Sequence, residues 1–287
     1  MHFTQRLTYF LNFFLIISFV FLFSGCNGGV LCPKGSIALE QRSLIFISFL
    51  LMICIIIPVF FMTILFLVKY RENNTSSNYR PNWSHSSFIE LLSWSFPVLI
   101  IFFLSVLSWN SSHTLDPNKH IISDVKPLKI NVISLDWKWL FIYPDKNIAT
   151  INELVFPVNT PIIFELTSNS VMNSFFIPSL GSQIYTMAGM KTQLNLISNQ
   201  PGIYKGISSN YSGQGFSNMK FKTIVVSNYL LFQKWIERVK KSSFKLSSIS
   251  DFKKVANVSE NNAVKYYSSV KKHLFDIVVK EVTGIKK

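Results

Sequence analysis

Apolar residues crowd the first 110 positions in three long runs, and short alternating stretches replace them beyond. Phe10–Phe23 is the first run, with 14 residues behind His2 and Arg6. Crossing a bilayer takes about 20 residues, so this length fits a secretion signal. Leu44–Val68 supplies 25 residues without a charge, and Leu91–Trp109 another 19 with Glu90 just before them. Both are long enough to span a membrane. Pro58 and Pro97 fall inside them, where a helix in lipid persists with a kink. Trp83, Trp94 and Trp109 lie near the expected ends, as interface-seeking rings do. The connecting Lys69–Phe88 carries Lys69, Arg71 and Arg80, which predicts a cytoplasmic turn with both flanks outside.

From Ile121 to Val226 the period falls to two. Leu128–Ser134, Pro161–Thr167, Gln193–Ser198, Gly202–Ile207 and Phe221–Val226 read as short strands between turn residues. Strands at this spacing predict a sandwich or barrel of about 100 residues. Helical periodicity returns at Tyr229–Lys241, where Leu230, Phe232, Trp235, Ile236 and Val239 interleave with charged residues. Ser250 is positioned to cap a second helix over Asp251–Val255, and Lys265–Val282 reads as a third. The expected division is a signal over 1–25, an outer segment over 26–43 and membrane helices over 44–68 and 89–110. A cytoplasmic loop over 69–88 joins those helices. A β domain over 121–227 and a helical extension over 228–287 follow.

Composition narrows the function. The chain has 287 residues, 27 of them Phe, and a formal charge of +14; its mean hydropathy is +0.32. Of the 28 Lys and Arg, 22 lie beyond residue 109, but they are scattered among Asn, Ser and Ile. That is not the footprint of a nucleic-acid binder. Cys26, Cys32 and Cys54 are the cysteines, so the β domain has neither a disulfide nor a thiolate metal site. His2, His85, His113, His120 and His273 lack the spacing of a metal centre. Neither a nucleophile–base pair nor a phosphate loop is present, and no catalytic site is expected in this chain.

Two segments carry the informative motif. One reads Val171-Met172-Asn173-Ser174-Phe175-Phe176-Ile177-Pro178-Ser179-Leu180-Gly181; the other runs from Gly206 to Met219 through Ser208, Asn210, Ser212, Gly213 and Phe216. Together they resemble the copper-binding loops of subunit II of the haem-copper terminal oxidases. In the branch that oxidises cytochrome c, a dinuclear copper centre takes a His from the first segment. The second supplies two Cys, a Glu backbone carbonyl, a His and a Met. Here those positions hold Asn173, Ser208, Ser212, Asn210, Phe216 and Met219. Soft thiolates and imidazoles hold such copper, and alcohols, amides and a phenyl ring do not replace them. The pattern is that of the quinol branch, the cytochrome bo type, whose subunit II has no copper.

The resemblance covers essentially the whole chain. It implies two transmembrane helices, an all-β cupredoxin-like Greek-key sandwich free of copper, and a helical C-terminal extension. It also implies a non-catalytic subunit of a proton-pumping ubiquinol oxidase in the bacterial inner membrane, with the N- and C-terminal parts in the periplasm. Haem, the active-site copper and quinol oxidation would belong to the partner subunit I. Glu90 matches the Glu at the mouth of the family's proton-uptake channel, against a plain helix-end charge. Leu22-Phe23-Ser24-Gly25-Cys26 resembles a lipoprotein cleavage site. Cys26 would then carry lipid, palmitate included, although Phe23 stands where an aliphatic residue is usual. An uncleaved anchor or an ordinary signal is the alternative. Asp136-Trp137-Lys138-Trp139 with Phe141 and Tyr143 matches the aromatic stretch where electrons enter in the copper branch; large-ring packing is its simpler account. The competing function is a membrane-anchored periplasmic copper-binding or interaction module outside the respiratory chain.

Overall fold

The computed structural model describes residues 29–71 and 82–282. Cys26 and the expected signal lie outside them. Two units are distinguished, one over 42–116 and one combining the segment before it with the chain from Pro117 onward.

The first unit contains most of helix α1, Ser36–Lys69, and all of α2, Ser87–Thr114. At about 1.5 Å per residue, the 34 residues of α1 run some 50 Å. The helix begins eight residues before Leu44. Hydropathy alone misses this because Glu40 and Arg42 interrupt the uncharged run there. Both helices run through their prolines. Large apolar side chains face outward, Leu67 at 69% exposure and Phe102 at 72%. Such surface suits hydrocarbon and not water. Ser105 and Ser112 return their hydroxyls to the Ile101 and Ser108 carbonyls at 2.8 and 2.7 Å, so these two donors are not left bare.

The second unit is a sandwich. Its strands are β1 Leu128–Leu135, β2 Lys138–Tyr143, β3 Ile148–Ile151, β4 Glu153–Pro157, β5 Ile162–Ser168 and β6 Asn173–Phe176. They continue with β7 Gln183–Thr186, β8 Thr192–Leu196, β9 Gly202–Ser208, β10 Lys220–Val226 and β11 Lys265–Tyr267. One sheet has the order β11-β3-β2-β1-β5-β8 and the other β4-β10-β9-β6-β7. β1 pairs parallel to β5, and β4 parallel to β10. The other pairs are antiparallel, as Greek-key crossovers require. Alternation assigns the faces. Ile130, Val132, Trp139, Phe141 and Tyr143 point between the sheets and meet Phe164, Phe175 and Phe221. Ile133, Leu135, Leu140 and Ile142 point the other way, onto Leu246, Phe252, Leu274, Phe275 and Val278 of the extension. β1 and β2 therefore read as nearly continuous apolar runs because both of their faces are covered.

The extension contains α3 Tyr229–Lys240, α4 Ile249–Ala256 and α5 Leu274–Val282. Two sequence expectations are corrected here. Ser248, not Ser250, caps α4, accepting from Asp251 N while Asp251 bonds back to the Ser248 backbone. Lys265–Val282 is not one helix. Its first residues form β11, which pairs with β3 through Tyr266↔Thr150. Tyr-Tyr has strand propensity, and the open edge of β3 offers backbone partners that a helix cannot use.

The segment before α1 is part of this unit too. Lys34 N–H donates to Ser179 O at 2.7 Å, and Asn199 N–H to Lys34 O at 2.8 Å. Ala38 is fully buried. Gly181, with φ +90°, brings its backbone against it; a Cβ there would lie 2.8 Å from Ala38 N. Gln41 closes the contact, donating to Ser182 Oγ and accepting from Ser182 N–H, both at 3.1 Å.

Candidate functional site

The two segments singled out in the sequence meet at one end of the sandwich. Asn173 opens β6 and Ser208 ends β9, with Phe175↔Ser208 in register. Both side chains are buried, at 1% and 5% exposure. The Ser208 hydroxyl lies 3.2 Å from Asn173 Oδ1 and 3.3 Å from Asn210 O, and 3.5 Å from the Ser174 N–H that it accepts. Asn173 Nδ2 donates to Val171 O at 3.2 Å, and Asn210 Nδ2 to Met172 O at 3.2 Å. The amides and the hydroxyl thus hold the two segments to each other.

Beyond Asn210 the loop turns over a single-turn 3-10 helix, Phe216–Asn218. Tyr211 and Phe216 stack edge to face with centroids 5.7 Å apart. Met219 is buried at 1% and belongs to the aromatic core. All six positions matched to copper ligands, Met219 still a methionine, therefore lie in one region, but as packing and hydrogen-bonding groups. The donor set does not fit a dinuclear copper centre: amide, alcohol and phenyl groups replace its imidazoles and thiolates. Ser212 Oγ is enclosed without a hydrogen-bond partner, yet one neutral alcohol is a poor ligand for copper. Among the described residues, no three His, Cys, Asp or Glu side chains come together as a metal site.

The aromatic stretch divides. Trp139, Phe141 and Tyr143 are fully buried, and the Tyr143 hydroxyl donates to Val155 O at 3.0 Å while accepting from Val155 N–H at 2.9 Å. Burial raises that phenol far above its ordinary range. Trp137 takes a different course. It sits in the two-residue β1–β2 turn at φ +56°, a conformation costly for a bulky residue. Its indole N–H donates to Ser212 O at 3.0 Å. Its ring covers Gly215, where a Cβ would fall 2.4 Å from Trp137 Cδ2. The strained turn thus pins the vacated loop. Positive φ at a Trp leaves no trace in sequence, although two glycines facing an aromatic turn are a usable hint.

Next to this turn Lys138 is buried, its ammonium donating to Asn257 O at 2.7 Å and Ser259 Oγ at 2.5 Å. Burial lowers its pKa, partly offset by Asp136. Glu153 is a second group that the sequence does not flag. At 7% exposure its Oε1 accepts from Trp235 Nε1 at 3.0 Å and from the Tyr266 hydroxyl at 2.7 Å. Burial and that bond to a carboxylate push Tyr266 up to about 12. Glu90 lies elsewhere, exposed in the first turn of α2, with its N–H on Ser86 O at 3.0 Å. His113, in the last turn of α2, bonds Trp109 O through Nδ1 at 2.8 Å.

Comparison with known proteins places the chain among its relatives. Residues 145–228 match the family model described as cytochrome c oxidase subunit II, periplasmic domain. Residues 240–284 match the model described as the COX aromatic rich motif. The chain is 58% identical over 285 residues to the cytochrome bo(3) ubiquinol oxidase subunit 2 of Buchnera aphidicola subsp. Baizongia pistaciae, covering 99% of each chain. The protein so named from Pseudomonas putida is 49% identical over 266 residues, 93% of this chain and 84% of that one. The ubiquinol oxidase subunit 2 of Acetobacter aceti is 49% identical over 265 residues, covering 92% and 85%. Among solved structures, the periplasmic domain of cytochrome oxidase subunit II from Bradyrhizobium japonicum aligns with a TM-score of 0.39 and 24% identity, covering 42% of this chain and 98% of that one.

Proposed function

The chain belongs to the subunit 2 family of the cytochrome bo-type ubiquinol oxidases, and from that premise we propose that it is the non-catalytic subunit II of a proton-pumping complex that oxidises quinol and reduces oxygen to water. It is anchored in the membrane and carries a periplasmic domain. Both helices cross the inner membrane, with the chain termini outside. The partner subunit I holds the haems and the active-site copper and takes electrons from ubiquinol arriving through the lipid. This chain supplies helices that dock on that partner and a sandwich over the outer face.

The observation that carries this reading is the bond between Ser208 Oγ and Asn173 Oδ1. Two positions that hold copper ligands in the cytochrome c branch are here committed to each other. A relay for electrons from a soluble cytochrome has no task when the donor is a membrane quinol. The competing reading as a copper-binding or interaction module outside respiration has no observation in its favour.

Two residues refine the proposal. Glu90 stands at the cytoplasmic start of α2 and delivers protons toward subunit I, because a carboxylate at a membrane helix end is an exchangeable group open to water. Cys26 carries the lipid that adds a second hold on the membrane. Purification of the tagged complex tests the whole. Haem in the preparation and quinol-driven oxygen uptake support the reading; a solitary chain without haem refutes it. Labelled palmitate lost in Cys26→Ala tests the anchor.

A further inference from the structure

We infer that Met172, Met187 and Met190 form a surface site for monovalent copper, separate from the vacated loop. Met187-Ala188-Gly189-Met190 is a four-residue turn, closed by Met190 N–H donating to Met187 O at 3.3 Å. Gly189 has φ +76°, as the third position of a type II turn demands. The turn brings its first and last residues within about 7 Å, so the two thioethers start from one small base. Met172 completes the set. β6 and β7 pair antiparallel with Asn173↔Thr186 as the last recorded partners. Ser168 Oγ donates to Val171 O at 2.6 Å and its N–H to Met187 O, so the residue before Met172 shares a backbone partner with Met187. Asn173 and Thr186 are buried, and just beyond those strand ends Met172 is exposed and Met187 half-buried. The edge is held from below by the Ser168↔Ala188 bridge and by Ser168 N–H on Met187 O at 3.3 Å.

Met172 and Met190 are 41% and 53% exposed. Three of the four methionines beyond the membrane segments thus sit at one edge, and the fourth, Met219, is in the core. Long unbranched thioethers can converge by rotamer change alone. Three neutral sulfurs form a soft donor set selective for Cu(I) over divalent ions. No electron transfer is required, since the ion enters and leaves in the same oxidation state. The role rests on the proposed function and the site does not: a periplasmic Cu(I) cargo held here lies beside a complex whose partner subunit takes up copper.

The test titrates full-length, detergent-solubilised chain with Cu(I) against a colorimetric Cu(I) chelator. Wild type should withdraw one equivalent, and X-ray absorption should show a sulfur-only shell. Met172→Leu/Met187→Leu/Met190→Leu should lose that equivalent. Leu preserves volume, and recovery of the variant with its haem-containing partner shows that it folds. Met219→Leu should keep the equivalent. Equal uptake by wild type and the triple variant, or no uptake by wild type, overturns the site. Loss only in Met219→Leu would place copper in the vacated loop and overturn both this site and the copper-free reading of that loop.

Discussion

The Trp235 indole N–H donates to Glu153 Oε1 at 3.0 Å, linking the first helix of the C-terminal extension to the edge of the sandwich. Tyr266 reaches the same oxygen from β11, so one buried carboxylate gathers two parts of the extension. Trp235→Phe removes a donor from that carboxylate and should cost about 1–3 kcal/mol. Limited proteolysis of the purified complex, read at the extension, measures it. Cleavage at the wild-type rate would contradict the linkage.

Gly215→Ala tests the hold of Trp137 on the loop. A Cβ at 2.4 Å from the indole cannot be accommodated without moving the ring or the turn. Overpacking of this kind costs about 1–3 kcal/mol. Trp137→Ala in the same chain should recover part of the loss, and a thermal-unfolding double-mutant cycle reads the coupling.

Ser208→Ala should lower stability by about 1 kcal/mol, because its hydrogen bonds are long and shared among three partners. Quinol-driven oxygen uptake should stay at the wild-type rate. A large loss of turnover with the complex intact would return this loop to the electron path.

Glu90→Gln should leave assembly and haem content unchanged while slowing oxygen uptake several-fold. The expectation follows from removing an exchangeable proton at a helix start in the first turn of α2. Unchanged turnover would reduce Glu90 to a helix-end charge.

Acid should loosen the far end of the extension. The Lys191 ammonium bound to Asp276, with His273 adding to it, holds that carboxyl below the usual carboxylate range. A lowered folded pKa stabilises the fold above the unfolded value of about 3.9, and the contribution fades as pH falls through the folded pKa. Protease sensitivity of α5 should therefore rise below about pH 4. Asp276→Asn should show weaker attachment near neutrality and lose that acid-dependent part.

Much of this protein was legible in its residues. The apolar runs located the two long apolar helices, period-two stretches located β1, β5, β8, β9 and β10, and the spacing of Asn173, Ser208, Ser212 and Met219 marked the loop. These signals are local, set by how a short segment partitions between water, lipid and a neighbouring face. The first turns of α1, held to the sandwich unit through buried Ala38 and the hydrogen-bonded Gln41, carried no such signal. Nor did β11, whose state depends on the free edge of β3 more than a hundred residues earlier. The left-handed Trp137, the buried Glu153 and the methionine edge likewise depend on residues distant in sequence. Residue identity decided which atoms stand in the loop, amides, alcohols and a phenyl ring beside the one thioether of Met219. Tertiary packing decided what those atoms bond, because hydrogen bonds and burial are settled only once remote strands stand side by side.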